Sequence, residues 1–433
     1  MPTIRPQPRR RRGGGRGIGG RWQRTARTVR RTGRRRETAV SKRSGDHTGT
    51  RIQEQRRLAR LTQRVLADRI PYSYSWLTQV ECGARPASVD FTAAVARALR
   101  IDVTVLTGQP YVTQLQEDRL AELVRPIREA MDLYDLGDDP LVTTRAVAEL
   151  LAAAEELCAR VRATRLHAAA ATLPDVITEL TVLCWRGQTT ELWQALASAY
   201  RTAHDITVKL GFYDLATVAL DRLGWAAERA GDPCLAAMRQ YFRGLVYFRE
   251  GEYGIGLRLV RSGHGLLGAD GSSRAALTVA GQLHLGGSVL AARAGEADLA
   301  AEHIAQAREH AERVGDASKL HWLNFSPGNV SLHEMSVAME LRRYDEALRQ
   351  AKAIRLPATV ATSRRAHFYI DRARVELELG RGEASLKSMM AARRSAPEQT
   401  RYHPGARETI RGLVHLSRRA PEPLRAMATW IGM

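Results

Sequence analysis

Cysteine is scarce in this 433-residue chain. The four present, Cys82, Cys158, Cys184 and Cys234, stand far apart with no close pair. That spacing argues against a disulfide framework or a zinc site and leaves them as buried or half-buried thiols. Also missing is any stretch approaching the 18 or so uncharged apolar residues that cross a bilayer. The basic N-terminus has no apolar segment behind its arginines, so it does not read as a secretory signal. The expected compartment is the cytoplasm, with no membrane partner. Signatures of catalysis are missing too: there is no G-x-x-x-x-G-K-[ST], no H-E-x-x-H and no G-x-S-x-G. The 12 histidines are scattered, and His303 and His310, seven apart, read as a solvated stripe. Most acids interleave with arginine at helical spacing, as surface pairs do. The expectation is a protein that is not an enzyme, with no cofactor and no metal.

What is present is arginine, 61 residues against 5 lysines, and it is unevenly placed. Residues 1–46 hold 16 Lys/Arg and 2 acids, residues 47–111 hold 9 and 5, and residues 112–433 hold 41 and 39. Positive charge therefore sits at one end, where it could meet phosphate. Residues 1–46 are rich in Arg and Gly and offer nothing to bury, so this tail reads as disordered. Gly15-Arg16-Gly17-Ile18-Gly19-Gly20 matches a dinucleotide fingerprint in letters alone, with no strand before it and no helix after it. Two readings of the tail stand side by side: an arm on the DNA backbone, or a passive tail from an over-extended reading frame.

Residues 47–111 read as a compact run of five short helices. The first spans Arg51 to Ala59, with Ile52 and Leu58 inward. Thr62 caps a second that reaches Ile70, with Val65 and Leu66 as its apolar side. Pro71 and Tyr72 make a turn. Ser73 caps a third helix to about Cys82, closed by Gly83, and helices over Ser88–Leu99 and Val103–Leu106 follow. Leu77 and Val80 share a face that must look into the core. Tyr74, Ser75, Thr78 and Gln79 fall on another side. A polar, uncharged, capped helix start beside a basic flank suits the major groove, where amides and hydroxyls can meet base edges.

Leu61-Thr62-Gln63, Leu66-Ala67, Ser73, Leu77, Glu81-Cys82-Gly83 and Arg85-Pro86 follow the spacing of the lambda-repressor-like (XRE) family of bacterial regulators, which the segment closely resembles. The resemblance implies a helix-turn-helix on double-stranded DNA. Gln63 would touch a phosphate, Tyr74, Ser75 and Gln79 would face bases, and Ser73 and Thr78 would stand beside them. It also implies a partly buried ion pair between Arg56 and Glu81. Pro71 departs from the family, which usually has glycine in that turn. Trp76 either packs on Tyr72 or the second helix, or meets a thymine methyl or sugar.

Residues 112–433 carry Ala- and Leu-rich helical segments with almost no strand signal, so the whole chain is expected to be all-α. Turns at Gly211, Gly251, Gly295, Arg343 and Gly380 are 40, 44, 48 and 37 residues apart. A period near 40 with two helices each indicates an α-solenoid. Gly244 to Tyr253 resembles a tetratricopeptide (TPR) repeat, with Gly244, Gly256 and Gly263 at its small positions, and Ser288, Ala300 and Ala307 repeat the pattern. Tyr344-Asp345-Glu346-Ala347-Leu348 starts another second helix, and residues 165–210 could be an earlier pair. The layout resembles XRE regulators with C-terminal TPR-like domains. This implies a groove that takes a peptide or small-molecule effector, or mediates homodimerisation. Asn324, Asn329, His333, Arg365 and Tyr369 are groove candidates, each equally readable as a cap or a surface residue. The competing reading of the chain is a TPR-type protein-interaction adaptor without specific DNA binding.

Overall fold

The computed structural model describes residues 47–109, 114–268, 272–357, 360–417 and 420–433, with backbone alone for 114–119. The Arg/Gly tail, and with it the expectation of disorder, lies outside the described residues. The described residues form one compact all-α unit. It opens with five short helices, Thr48–Leu58 (α1), Gln63–Ala67 (α2), Tyr74–Glu81 (α3), Val89–Leu99 (α4) and Val103–Thr107 (α5).

Their boundaries follow from caps. The side chains of Thr62, Ser73 and Ser88 each accept from the backbone N–H three residues on, which satisfies an otherwise orphaned donor. Ile52, Leu66, Leu77, Val80, Phe91 and Leu106 close the small core. Two expectations fail here. Leu58 is 69% exposed and Val65 39% exposed. The buried side of α1 runs through Thr48, Ile52 and Arg56 at intervals of four, so Leu58 falls off it. The second helix also stops at Ala67 rather than Ile70. Ile70 precedes Pro71, whose ring disfavours helical backbone at the residue before it.

The body continues as Gln114–Asp132 (α6), Val147–Arg162 (α7), Leu166–Gly187 (α8), Thr190–Leu210 (α9), Tyr213–Ala230 (α10), Pro233–Glu250 (α11) and Tyr253–Leu266 (α12). Then come Arg274–Ala294 (α13), Ala297–Val314 (α14), Pro327–Glu340 (α15), Tyr344–Ala353 (α16), Thr362–Glu378 (α17) and Gly382–Ser395 (α18). Pro397–Tyr402 (α19), Pro404–Leu416 (α20) and Glu422–Trp430 (α21) complete it. Successive helices from α9 to α18 pack in pairs, which is the repeat the turn spacing predicts. The small positions are sterically required. A Cβ on Gly256 would stand 2.6 Å from Leu290 and one on Gly263 2.7 Å from Leu283, so α12 lies directly on α13.

Pro327 starts α15, with Ser326 as the cap, where its missing N–H costs nothing. α8 and α13 are long and apolar enough to cross a membrane, which corrects the reading from uncharged runs. Half of the apolar window of α8 and 78% of that of α13 are buried among neighbouring helices.

The histidine stripe is also corrected. His303 and His310 on α14 meet His264 on α12 and His284 on α13, with His284 Nδ1 2.9 Å from His303 Nδ1. Burial first, and mutual repulsion second, push His264 down to about 4 and His284 to about 3. Burial lowers His303 and His310 as well. As pH falls below about 6.5 the unfolded chain takes up these protons before the folded one, so stability declines from there towards pH 4. Each histidine contributes a slope of up to about 1.4 kcal/mol per pH unit. Urea midpoints measured at pH 7.5, 6 and 5 should fall in step; a flat series would mean that the four rings titrate normally.

Candidate nucleic-acid interface

α3 is oriented by its apolar side. Leu77 and Val80 are buried in the head core, and Glu81 is buried beside them. The opposite side is thereby turned outward. Ser73, Tyr74, Ser75 and Gln79 are exposed, with Tyr74 at 51%, and Thr78 is half-buried. The Gln79 amide donates to Ser75 Oγ at 3.4 Å and the Thr78 hydroxyl to the Tyr74 carbonyl at 2.9 Å. The outward face therefore offers an amide, two hydroxyls and a phenol, the groups that read base edges. Arg57, Arg60, Arg64 and Arg69 are exposed on α1, α2 and their adjoining turns, where cations can meet phosphate.

A buried network fixes the angle of this helix. Arg56 Nε and Nη2 each donate to one Glu81 oxygen at 2.7 Å, with side chains only 9% and 1% exposed. The hydrogen bond to Glu81 raises the Arg56 guanidinium above its ordinary range. Gln63 Nε2 donates to Glu81 at 2.8 Å, and the Tyr74 hydroxyl donates to Gln63 Oε1 at 3.3 Å. Gln63 thus joins the ion pair to the outward face: its amide braces Glu81 and Tyr74 at the start of α2.

The turn from α2 to α3 contains no left-handed residue between Leu61 and Cys82. Pro71 holds the chain so that Tyr72 N donates to Ile70 O at 2.8 Å, replacing the geometry a glycine would supply. Trp76 packs inward, 5.4 Å from the Tyr72 ring, with the Arg85 guanidinium 3.4 Å above it.

Residues that sequence reasoning passed over join the head to the helical body. Arg342 Nη2 donates to the Tyr72 hydroxyl at 2.7 Å and to Asp90 at 3.0 Å, and the Tyr72 hydroxyl also donates to Asp90. Arg374 stands 3.7 Å from the same carboxylate. Burial would raise Asp90, but Arg293 and Arg374 overcome it and hold the carboxyl far below its usual range. Arg85 pairs with Glu378 at 3.3 Å, and Thr48 donates to Glu408 at 2.6 Å. At the Gly251 turn, φ is +79° and a Cβ would lie 3.0 Å from Ala93 on α4, so only glycine fits both the bend and the approach. All these contacts leave the outward face of α3 clear.

Of the groove candidates, Asn329 and His333 are buried, with His333 Nδ1 2.9 Å from the Asn329 carbonyl. Asn324 lies on the wall of a cavity of about 770 Å³, with φ +60°. Arg365 donates to the Pro357 carbonyl, and Tyr369 packs between two apolar clusters.

A capped polar helix turned outward on a compact five-helix head, beside exposed arginines, defines a helix-turn-helix domain, and with it a DNA-binding regulator in general terms. Residues 47–107 match the family model described as a helix-turn-helix domain. Among solved structures, the chain is similar to Bacillus thuringiensis PlcR in complex with the peptide PapR7 and DNA, at 14% identity and TM-score 0.25, covering 80% of this chain and 93% of that one. It is also similar to BtubC (BKLC) from P. vanneervenii, at 14% identity and TM-score 0.35, covering 64% and 97%. No curated protein matches the chain.

Proposed function

We propose that this chain is a sequence-specific transcriptional regulator that lays α3 in the major groove of double-stranded DNA. Tyr74, Ser75 and Gln79 contact base edges, Ser73 and Thr78 lie beside them, and the α2 start at Gln63 meets a phosphate. The protein acts as a homodimer on the nucleoid, in the cytoplasm, and its helical body senses a peptide or small molecule. No catalytic step is assigned to it. The observation that carries this reading is the outward face of α3, which is polar, exposed and left clear where the body clamps the head.

A gel shift against the region upstream of its own gene tests it. Combining Ser75→Ala with Gln79→Ala should cut affinity for the specific duplex by roughly tenfold or more while leaving salt-sensitive, non-specific binding in place. Equal affinity of the double variant would leave the head as a protein-contact module, the adaptor reading.

A further inference from the structure

The inner side of the helical body holds more positive charge than it neutralises. Arg162 ends α7, Arg201 and Lys209 lie on α9, and Arg364 lies on α17, and these four cations perturb one another electrostatically. Two carboxylates accompany them, Asp205 on α9 and Asp371 on α17. Asp205 takes a hydrogen bond from Arg162 at 2.8 Å and lies 3.9 Å from Arg201. Asp371 is engaged by Ser336 at 3.2 Å, and burial followed by repulsion from Glu340 pushes it up to about 6.

Lys209 and Arg364 are left with neutral partners. Lys209 Nζ donates to Gln399 Oε1 at 3.1 Å, and Arg364 Nη2 lies 3.3 Å from His333 Nδ1. Arg364 Nε, and Arg201 Nε in a residue only 3% exposed, have no hydrogen-bond partner among the described residues. Buried donors without partners are costly, so they call for an acceptor. Burial pushes Lys209 down to about 8 against the pull of Asp205, and Arg162 and Arg364 add to the fall. Lys209, Arg364 and Arg162 nevertheless keep accessible surface.

The adjoining loop is strained in support of this cluster. His321, Trp322 and Asn324 all have positive φ, at +46°, +53° and +60°. In that conformation the carbonyls of His321 and Trp322 accept from Arg201, and Trp322 O also accepts from Arg162. The cavity of about 770 Å³ opens at this loop; Arg162 is the one member of the cluster on its wall, beside Arg274, Lys319 and the carboxylate of Asp316. Backbone strain retained beside an undercompensated charge cluster fits a ligand site.

We infer that the Arg162–Arg201–Lys209–Arg364 cluster binds a small oxyanion, a carboxylate or a phosphate, as the effector of the regulator. Guanidinium pairs suit both groups, because each presents the two acceptors that a planar fork engages. The inference rests on the proposed sensing role of the helical body.

The test uses the full chain and two probes, inorganic phosphate and succinate, each compared with potassium chloride at matched ionic strength. One or both should raise the melting temperature beyond the chloride control and give a saturable calorimetric titration. Lys209→Met and Arg364→Met should abolish that extra rise; Lys209→Gln and Arg364→Gln serve if the methionine forms fail to fold. Phosphate alone active points to a phosphate ester, and succinate alone to an organic acid. No rise in the wild-type chain, or the same rise in the variants, overturns the site. Gel shifts with and without the active probe separate the two readings. Saturable binding that changes duplex affinity about fivefold or more supports both. Saturable binding with unchanged duplex affinity keeps the site and removes its sensing role.

Discussion

Glu81→Ala should destabilise the head by roughly 3–5 kcal/mol, the usual result of removing one partner from a buried ion pair. The carboxylate receives both prongs of Arg56 and the amide of Gln63. Its loss leaves a guanidinium in the core with only the Leu61 carbonyl for its remaining prong, at 2.8 Å. Gln63 would lose its acceptor and Tyr74 its brace, so α3 should loosen in angle as well as in stability. Native-state hydrogen exchange at the Leu77 and Val80 amides is the direct measurement. Combining Arg56→Met with Glu81→Leu should recover most of the lost stability, because an apolar replacement strands no charge. The two outcomes together separate the pair's cost from its geometry: the double variant should fold well and still bind duplex DNA less specifically. Unchanged exchange in Glu81→Ala would mean that water reaches the pair.

Asp90→Ala should have an effect of similar size on the junction of head and body. It removes the carboxylate on which Arg342, Arg374 and the Tyr72 hydroxyl converge. About 3 kcal/mol is expected, the low end for a broken buried pair, because the enclosed Arg374 keeps Glu340 and Arg342 is 46% exposed. The loss should appear as faster exchange across Val89–Leu99 and as a melting curve that splits in two. A single unaltered transition would show that the remaining contacts, Arg85 with Glu378 and Thr48 with Glu408, suffice. The pH dependence of this clamp has a definite sign. The folded pKa of Asp90 is depressed, so its contribution is fully present above the unfolded carboxylate range near 4. It fades as pH falls from there towards the lower folded value and is gone below it. The clamp should therefore persist through the interval in which the histidine cluster is already weakening the body.

The contrast between these sites shows what could be read from the sequence. Thr62, Ser73 and Ser88 are local signals, acting within three residues, and they place three helix starts correctly. Leu77 and Val80 orient α3 for the same reason: spacing along one helix fixes a face. The turns at Gly211, Gly251 and Gly295 mark repeat boundaries because the left-handed backbone is demanded there. Leu58 and Val65 misled because short helices expose some apolar positions, and hydropathy alone does not reveal which side has a neighbour. Arg56 and Glu81 were legible through the family resemblance and not through spacing. Asp90 and Arg342 lie 252 residues apart, so nothing local announces their meeting. The four histidines come from three helices, and only the stacking of repeats brings them together. The inner cation cluster was hidden for the same reason, although one groove candidate, His333, borders it at Arg364.

The way the helical body returns on itself has a consequence for how the molecule is built. Glu398 on α19 accepts from the backbone at the start of α8 and from His167, while Gln399 reaches both Lys209 on α9 and Ser363 on α17. A stack with free ends can lengthen or shorten by one unit at modest cost, since each unit answers only to its neighbours. A circuit fastened in this manner has a fixed circumference. Inserting or deleting a helix pair between α10 and α16 should open the seam at Glu398 however well the new pair is designed, and the seam itself must form late, after more than 230 intervening residues have found their places.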